Sequence, residues 1–212
     1  FGSIGSIVET SDLQRKSFNQ AFIKSDLNWY WTKKEYKKLL NKSGGEDRVS
    51  RYAKQSNIRV NAKKIRSLKT KIFNNYLKKK ELKLRPGVKD LINFCIKNKI
   101  KLGFVSSTSL NNINSIFYCL RRSIKKSYFN FIGNSNLVKK NKPNPDIYLF
   151  ALKKLKLKPK ECIAIEDSQE SLDAAFKAKI KCLIFPGKFH SGKKFLRAYK
   201  KVFNLNIKIM RK

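Results

Sequence analysis

Acidic residues are scarce in this chain. Of 212 residues, 14 are Asp or Glu against 50 Lys or Arg, a formal net charge of +36, and no carboxylate follows Asp173. Codon bias accounts for an excess of Lys, Asn, Ile, Phe and Tyr, but not for the deficit of acids. Self-repulsion on this scale destabilises a compact state unless a polyanion offsets it. Long apolar runs are also missing. Ile163–Ile165 and Cys182–Phe185 fall far short of the ~20 residues of a membrane-spanning helix, which leaves no membrane partner in view. The four cysteines, Cys95, Cys119, Cys162 and Cys182, have no C-x-x-C spacing. That excludes a zinc knuckle or a disulfide framework and reads as reduced core thiols, suited to an intracellular or organellar-matrix setting. The lone histidine, His190, follows Pro186-Gly187 in a loop and reads as a surface residue without a role. The chain opens at Phe1 rather than Met, so a targeting segment cannot be read from it.

What is present specifies a folded protein. Hydrophobic residues make up 41% and aromatics 12%, too rich for disorder, and the length suits one domain with a sizeable insertion. Phe1–Val8 reads as a strand end entering a turn. Ser11 or Asp12 then caps an amphipathic helix with Leu13, Phe18, Ala21 and Phe22 on one side. Helical periodicity continues from Leu27 to Leu84, punctuated by Ser43-Gly44-Gly45. After Arg85-Pro86-Gly87 the pattern changes. Helices are predicted at Val88–Asn98, Leu110–Leu120, Pro145–Leu155, Ser168–Ala178 and Lys193–Phe203. Strands are predicted at Lys101–Ser106, Tyr128–Ile132, Cys162–Ile165, Ile180–Phe185 and Leu205–Ile209. This alternation implies an α/β fold, a doubly wound, Rossmann-like parallel sheet. Residues 1–12 and 85–212 form that core, and 13–84 form an inserted small α-helical cap over the sheet's carboxyl edge.

Ligands of such sheets bind at the carboxyl ends of the strands. Here those ends are Gly2–Ser6, Ser106–Ser109, Asn141–Pro143 and Glu166–Ser168. The motifs there are F-G-S-I-G-S, F-V-S-S-T-S, N-K-P-N-P-D-I-Y and A-I-E-D-S-Q, preceded by L-R-P-G-V-K-D-L-I. In order and spacing they resemble the haloacid dehalogenase superfamily of phosphoryl-transfer enzymes, over essentially the whole chain. The segment W-T-K-K-E-Y-K-K-L-L-N-K-S-G-G-E-D-R resembles the small helical cap of the branch containing beta-phosphoglucomutase and the xylulose-bisphosphate phosphatases.

The resemblance implies two aspartates at the end of the first strand, one attacking phosphorus and binding magnesium, the other serving as acid and base. Gly2 and Ile4 stand in their places. Neither side chain can attack, titrate or bind a metal, and no base is in view to activate Ser3 or Ser6. No catalytic residue and no cofactor are therefore expected, and the chain reads as an inactive scaffold. The other motif positions are kept. Ser106 matches the serine or threonine that hydrogen-bonds the phosphoryl oxygens, with backbone donors from Ser107 and Thr108; Lys142 matches the lysine that neutralises phosphate, and Glu166 with Asp167 the magnesium-holding pair. The bland reading of the last two is a helix cap and a turn. Magnesium would be required if the chain were an enzyme after all.

The lysines suggest a replacement role. Lys78, Lys79 and Lys80 cluster at the cap's exit, and Arg121, Arg122, Lys125 and Lys126 follow the second core helix. Lys193, Lys194, Arg197, Lys200, Lys201, Arg211 and Lys212 crowd the acid-free end. In the predicted last helix Lys193, Arg197, Lys200 and Lys201 share a face opposite Phe195, Leu196, Tyr199, Val202 and Phe203. Most charge runs are solvated faces. Coincidence with missing acids favours contact with the phosphate backbone of a folded RNA. The expectation is a structural RNA-contacting subunit among neighbouring ribonucleoprotein subunits. Its concrete form is an organellar ribosome binding rRNA, mitochondrial before plastid, with a cytoplasmic setting as the alternative. Two other functions stay open: a magnesium-dependent sugar-phosphate phosphatase, and a phosphate-ligand-binding regulator.

Overall fold

Buried apolar runs separated by amphipathic helices give the expected doubly wound α/β architecture. A computed structural model describes residues 1–2, 4–42, 44–78 and 81–210. Two units emerge, one made of Phe1–Glu9 with Glu81–Lys212, the other of Thr10–Lys80. The first unit opens with a short helical turn, α1 (Ile4–Ile7).

The second unit is helical: α2 (Ser11–Ile23), α3 (Lys33–Leu39), α4 (Gly45–Gln55) and α5 (Ala62–Lys78). Its core is aromatic. Trp31 is fully buried, with ring centroids 4.7 Å from Phe22 and 4.9 Å from Phe18. Thr32 and Glu35 form a capping box that starts α3, with Thr32 N donating to Glu35 Oε2 at 2.8 Å and Glu35 N to Thr32 Oγ1 at 3.2 Å. Such a cap contributes about 1 kcal/mol. The G-G-x-x-R stretch also has a physical purpose. Buried Arg48 donates to the carbonyls of Leu39 and Lys42, both at 3.1 Å, satisfying the open end of α3.

The first unit continues with α6 (Val88–Lys97), β1 (Gly103–Val105), α7 (Leu110–Cys119), β2 (Phe131–Gly133) and α8 (Asp146–Leu155). It ends with β3 (Ile163–Glu166), α9 (Gln169–Lys177), β4 (Lys181–Ile184) and β5 (Lys200–Lys201). β1 pairs in parallel with β2, and β3, β4 and β5 pair in parallel in that order. Phe1 and Gly2 join the two ladders. The Phe1 amine donates to Gly103 O at 2.7 Å, Val105 N donates to Phe1 O at 2.8 Å, and Gly2 N donates to Ile165 O at 2.8 Å. Bonding to residues two apart on the neighbour is the parallel pattern. The sheet therefore runs β2-β1-(Phe1, Gly2)-β3-β4-β5, and its switch point lies beside Gly2, between β1 and β3. Phe104, Val105, Ala164, Ile165, Leu183 and Ile184 are all buried, as befits strands covered on both faces.

The carboxyl-terminal stretch departs from expectation. In place of a helix over Lys193–Phe203 and a strand over Leu205–Ile209, the chain forms β5 and a 3₁₀ turn at Ile207–Met210. Arg197 adopts φ 69°, which interrupts any helix, and the backbone bonds outward, Tyr199 N to Cys182 O at 2.9 Å and Val202 N to Ile184 O at 2.8 Å. Sheet pairing overrides the 3.6-residue period. Consequently Leu196, Tyr199 and Phe203 are exposed at 72%, 53% and 63%, not inward as a helix would have placed them. His190, expected at the surface, is buried. All four cysteines are free, three of them buried. Among the described residues no helix is long and apolar enough to cross a membrane.

Candidate active site

Strand ends β1 and β3, with Gly2 between them, bring three predicted positions into contact. Lys142 precedes Pro143 in the turn before α8, and its buried ammonium donates to Val105 O at 2.9 Å, to Glu166 Oε1 at 2.5 Å and to Gly2 O. Glu166, the last residue of β3, is fully buried. Its Oε1 also accepts from Tyr148 Oη at 2.5 Å, while its Oε2 is buried and has no hydrogen-bond partner. Burial pushes the Glu166 carboxyl above its usual range, and the neighbouring Lys142 ammonium pulls the other way. Burial, together with the Glu166 charge, raises the Tyr148 phenol well above its ordinary value, so it stays a donor.

Gly2 makes this geometry possible. A Cβ on residue 2 would lie 2.0 Å from the Glu166 carboxyl carbon and 2.4 Å from Tyr148 Oη. The carboxylate of Glu166 thus fills the volume that a side chain at residue 2 would enter. A Cβ on Gly5 would likewise lie 1.8 Å from Asp167 Oδ2, which sets Asp167 against the turn that carries Ile4. Ile4 itself is half-buried.

The remaining predicted positions are close by in the chain but less tightly knit. Ser106 is buried just past β1 and its Oγ accepts from Thr108 N at 3.2 Å; Ser107 is exposed. Ser6 is buried with its hydroxyl donated to Ile165 O at 2.9 Å, and Ser3 lies outside the described residues. Two contributors escaped the sequence reading. Tyr148 closes the N-K-P-N-P-D-I-Y motif, two residues into α8, and that spacing from Lys142 is the signal that could have found it. Arg85, of the R-P-G motif, donates to Gly5 O, Phe185 O and Pro186 O, each at 2.7 Å, and its guanidinium lies 3.4 Å over the Phe185 ring. It ties the turn after Gly2 to the exit of β4.

The donor set offers few ligands for a hard cation. No group of three or more His, Cys, Asp and Glu able to hold a metal occurs among the described residues. The unpartnered Glu166 Oε2 and adjacent Asp167 supply two carboxylates. Magnesium is commonly held by one or two carboxylates, with waters and substrate phosphate completing its shell, so the residues fit it.

The basic residues do not form the expected face. With no terminal helix, Lys193, Arg197, Lys200 and Lys201 share no helical side. Lys201 donates to Ser191 O at 2.8 Å and Lys193 O at 3.1 Å, Arg197 lies over Phe176, and Arg121 over Tyr118. Lys126 is bonded to Asn114 at 2.8 Å. Long basic side chains here cover aromatic surface. Lys78, Arg122, Lys125, Lys194 and Lys200 are exposed, whereas Lys79, Lys80, Arg211 and Lys212 lie outside the described residues.

Comparison with known proteins bears directly on the expected functions. The sequence profile of the haloacid dehalogenase-like hydrolases matches residues 5–185. Protein CbbY of Cereibacter sphaeroides is 32% identical over 197 residues, spanning 92% of this chain and 86% of that protein. A phosphorylated carbohydrates phosphatase of Thermotoga maritima is 32% identical over 64% of this chain and 60% of its own length. The crystal structure of CbbY from Rhodobacter sphaeroides in complex with phosphate superposes with a TM-score of 0.85 at 30% identity, covering 94% of this chain and 91% of that one. A mutant of the same protein was crystallised with xylulose-(1,5)-bisphosphate. Kinship with phosphatases overturns the expected inactive scaffold, and with it the ribosomal, mitochondrial and RNA-contacting role and its ribonucleoprotein partners. Gly2 and Ile4 are a local departure within a phosphatase family, not a sign of recruitment to RNA. The chain belongs to the haloacid dehalogenase-like hydrolases.

Proposed function

We propose that this protein is a phosphatase of phosphorylated sugars. The observation that carries the proposal is the similarity, over nine-tenths of the chain, to CbbY, whose crystal structure was obtained with xylulose-(1,5)-bisphosphate. The residues at the strand ends support it. Ser106 and the backbone N–H of Ser107 would meet the phosphoryl oxygens, while the Thr108 N–H orients the Ser106 hydroxyl. Lys142 balances the charge of the phosphate and of Glu166. Asp167, with Glu166 Oε2, would hold magnesium, which when bound draws negative charge from the phosphoryl oxygens. Tyr148 positions Glu166. The helical unit Thr10–Lys80 serves as the cap.

Gly2 and Ile4 offer no carboxylate, so on this reading water attacks phosphorus directly, the bond to the sugar oxygen breaks, and solvent takes the water's proton and protonates the leaving sugar oxygen. A positioned acid or base contributes about 10²–10⁴-fold in rate. Turnover is therefore expected to be slower by at least that factor than in a relative that has both carboxylates, since the attacking carboxylate is lost as well. The test is magnesium-dependent phosphate release from xylulose 1,5-bisphosphate and other sugar phosphates by the wild-type chain and by Asp167→Asn. The wild type is expected to release phosphate in proportion to protein concentration, and Asp167→Asn to lose most of that activity. Equal rates for the two proteins would remove Asp167 from the site.

A further inference from the structure

Arg85 joins three parts of the chain that lie far apart in sequence. The carbonyls of Gly5, 80 residues before it, and of Phe185, 100 residues after it, both accept from Arg85 Nη1, and the Pro186 carbonyl accepts from Nη2, each at 2.7 Å. The backbone N–H of Arg85 donates to Ile7 O at 2.8 Å, and Leu84 bridges to Val8. The three carbonyls are left over at the ends of elements. Gly5 belongs to α1, a four-residue turn too short to give its carbonyls helical partners. Phe185 and Pro186 lie just past the end of β4. A planar guanidinium fork serves all three at once, which a lysine ammonium, a compact point charge, does poorly.

The turn held in this way is the one against which Asp167 rests. A Cβ on Gly5 would lie 1.8 Å from Asp167 Oδ2 and 2.7 Å from its carboxyl carbon, so the carboxylate sits directly on the Gly5 backbone. On the other side, Phe185 N donates to Glu166 O at 2.7 Å. One cation therefore holds both the turn under Asp167 and the chain beside Glu166. Its three side-chain bonds go to neutral carbonyls, which leaves its charge to act on the acids nearby. Burial lowers the Arg85 pKa, and Asp167, then Glu9, oppose that shift. We infer that Arg85 is a positioning residue for Asp167, fixing the backbone on which that carboxylate must stand to hold magnesium. The inference rests on the phosphatase reading of the strand ends, in which Asp167 and Glu166 Oε2 are the metal's protein ligands. An Arg85 that served the fold alone would change stability and leave the metal affinity of the folded protein untouched.

The experiment measures uptake of manganese(II), a spectroscopic substitute for magnesium, from the spin-resonance signal of the free ion, so that no turnover is needed. Wild type, Arg85→Lys and Arg85→Ala are compared as full chains, each shown to be folded by circular dichroism. Arg85→Ala is expected to bind manganese about 10–100-fold more weakly, the usual cost of losing a group that orients a metal ligand, with Arg85→Lys in between. Guanidinium ion below denaturing concentration should recover part of the affinity of Arg85→Ala, and urea at the same concentration should not. If Arg85→Ala does not fold, Arg85→Lys carries the test, and its affinity must fall below that of the wild type. Wild-type affinity in the folded variants would overturn the inference, and so would guanidinium that restores nothing. A wild type that takes up no manganese would overturn the metal reading itself and the role of Arg85 with it, whereas equal uptake by all three chains would overturn the role of Arg85 alone.

Discussion

At residue 2 the absence of a side chain does more than remove a nucleophile. The Glu166 carboxylate, tied to Lys142 and Tyr148, occupies the space in front of the Gly2 Cα. Gly2→Ala should force that network apart and destabilise the protein by about 1–3 kcal/mol, the usual cost of overpacking. Gly45→Ala is the matched control, because its Cβ would meet Phe18 at an ordinary 3.5 Å, and a change within about 0.5 kcal/mol is expected. Urea unfolding of the two variants measures the difference. The motifs made Lys142 and Glu166 legible in the sequence, because strand-end positions of a parallel sheet converge. The contact of Glu166 with residue 2 was not legible. It depends on a glycine leaving room, and a sequence says that a side chain is missing without saying what fills the gap. The same limit hid Tyr148, whose hydroxyl matters only through a carboxylate 18 residues away.

Among the elements, those built on local patterns were readable and the one built on remote pairing was not. The helices α6 to α9 and the strands β1, β3 and β4 begin and end within a few residues of their expected bounds. Apolar runs with polar caps specify them without outside help. The segment Lys193–Phe203 carries a helical spacing of apolar residues, yet its N–H groups bond to β4, a partner no local window contains. The helical unit holds a different surprise. Lys69 on α5 is buried with no carboxylate beside it, its Nζ 3.1 Å from Gln14 Oε1 and over the rings of Phe18 and Phe73. Burial lowers its ammonium from 10.5 to about 7. Since the unfolded chain holds this proton up to about 10.5 and the folded one only to about 7, stability rises with pH between those values and is lowest below 7. Lys69→Met should therefore raise the thermal midpoint most near pH 6 and least near pH 10. A midpoint difference that is independent of pH would contradict the buried-lysine account.

For the whole molecule, +36 is a burden that the fold carries rather than a signature of RNA. Basic side chains lie along aromatic surface, and the charge remains as general self-repulsion. Raising sodium chloride from 20 to 200 mM, which shortens the screening length to below about 10 Å, should raise the thermal midpoint; a midpoint indifferent to salt would show that the charges already balance locally. On the proposed function the same charge suits a small anionic substrate, since net positive charge attracts phosphate esters. The reading of composition as a preference for RNA is overturned by the phosphatase relatives, because net charge carries no information about the size or kind of anion. The most direct check is phosphate released from xylulose 1,5-bisphosphate with magnesium present, followed against a protein-free blank. Slow release that scales with protein concentration and stops when magnesium is chelated is the predicted result. Release no faster than the blank, from protein shown to be folded, would contradict it.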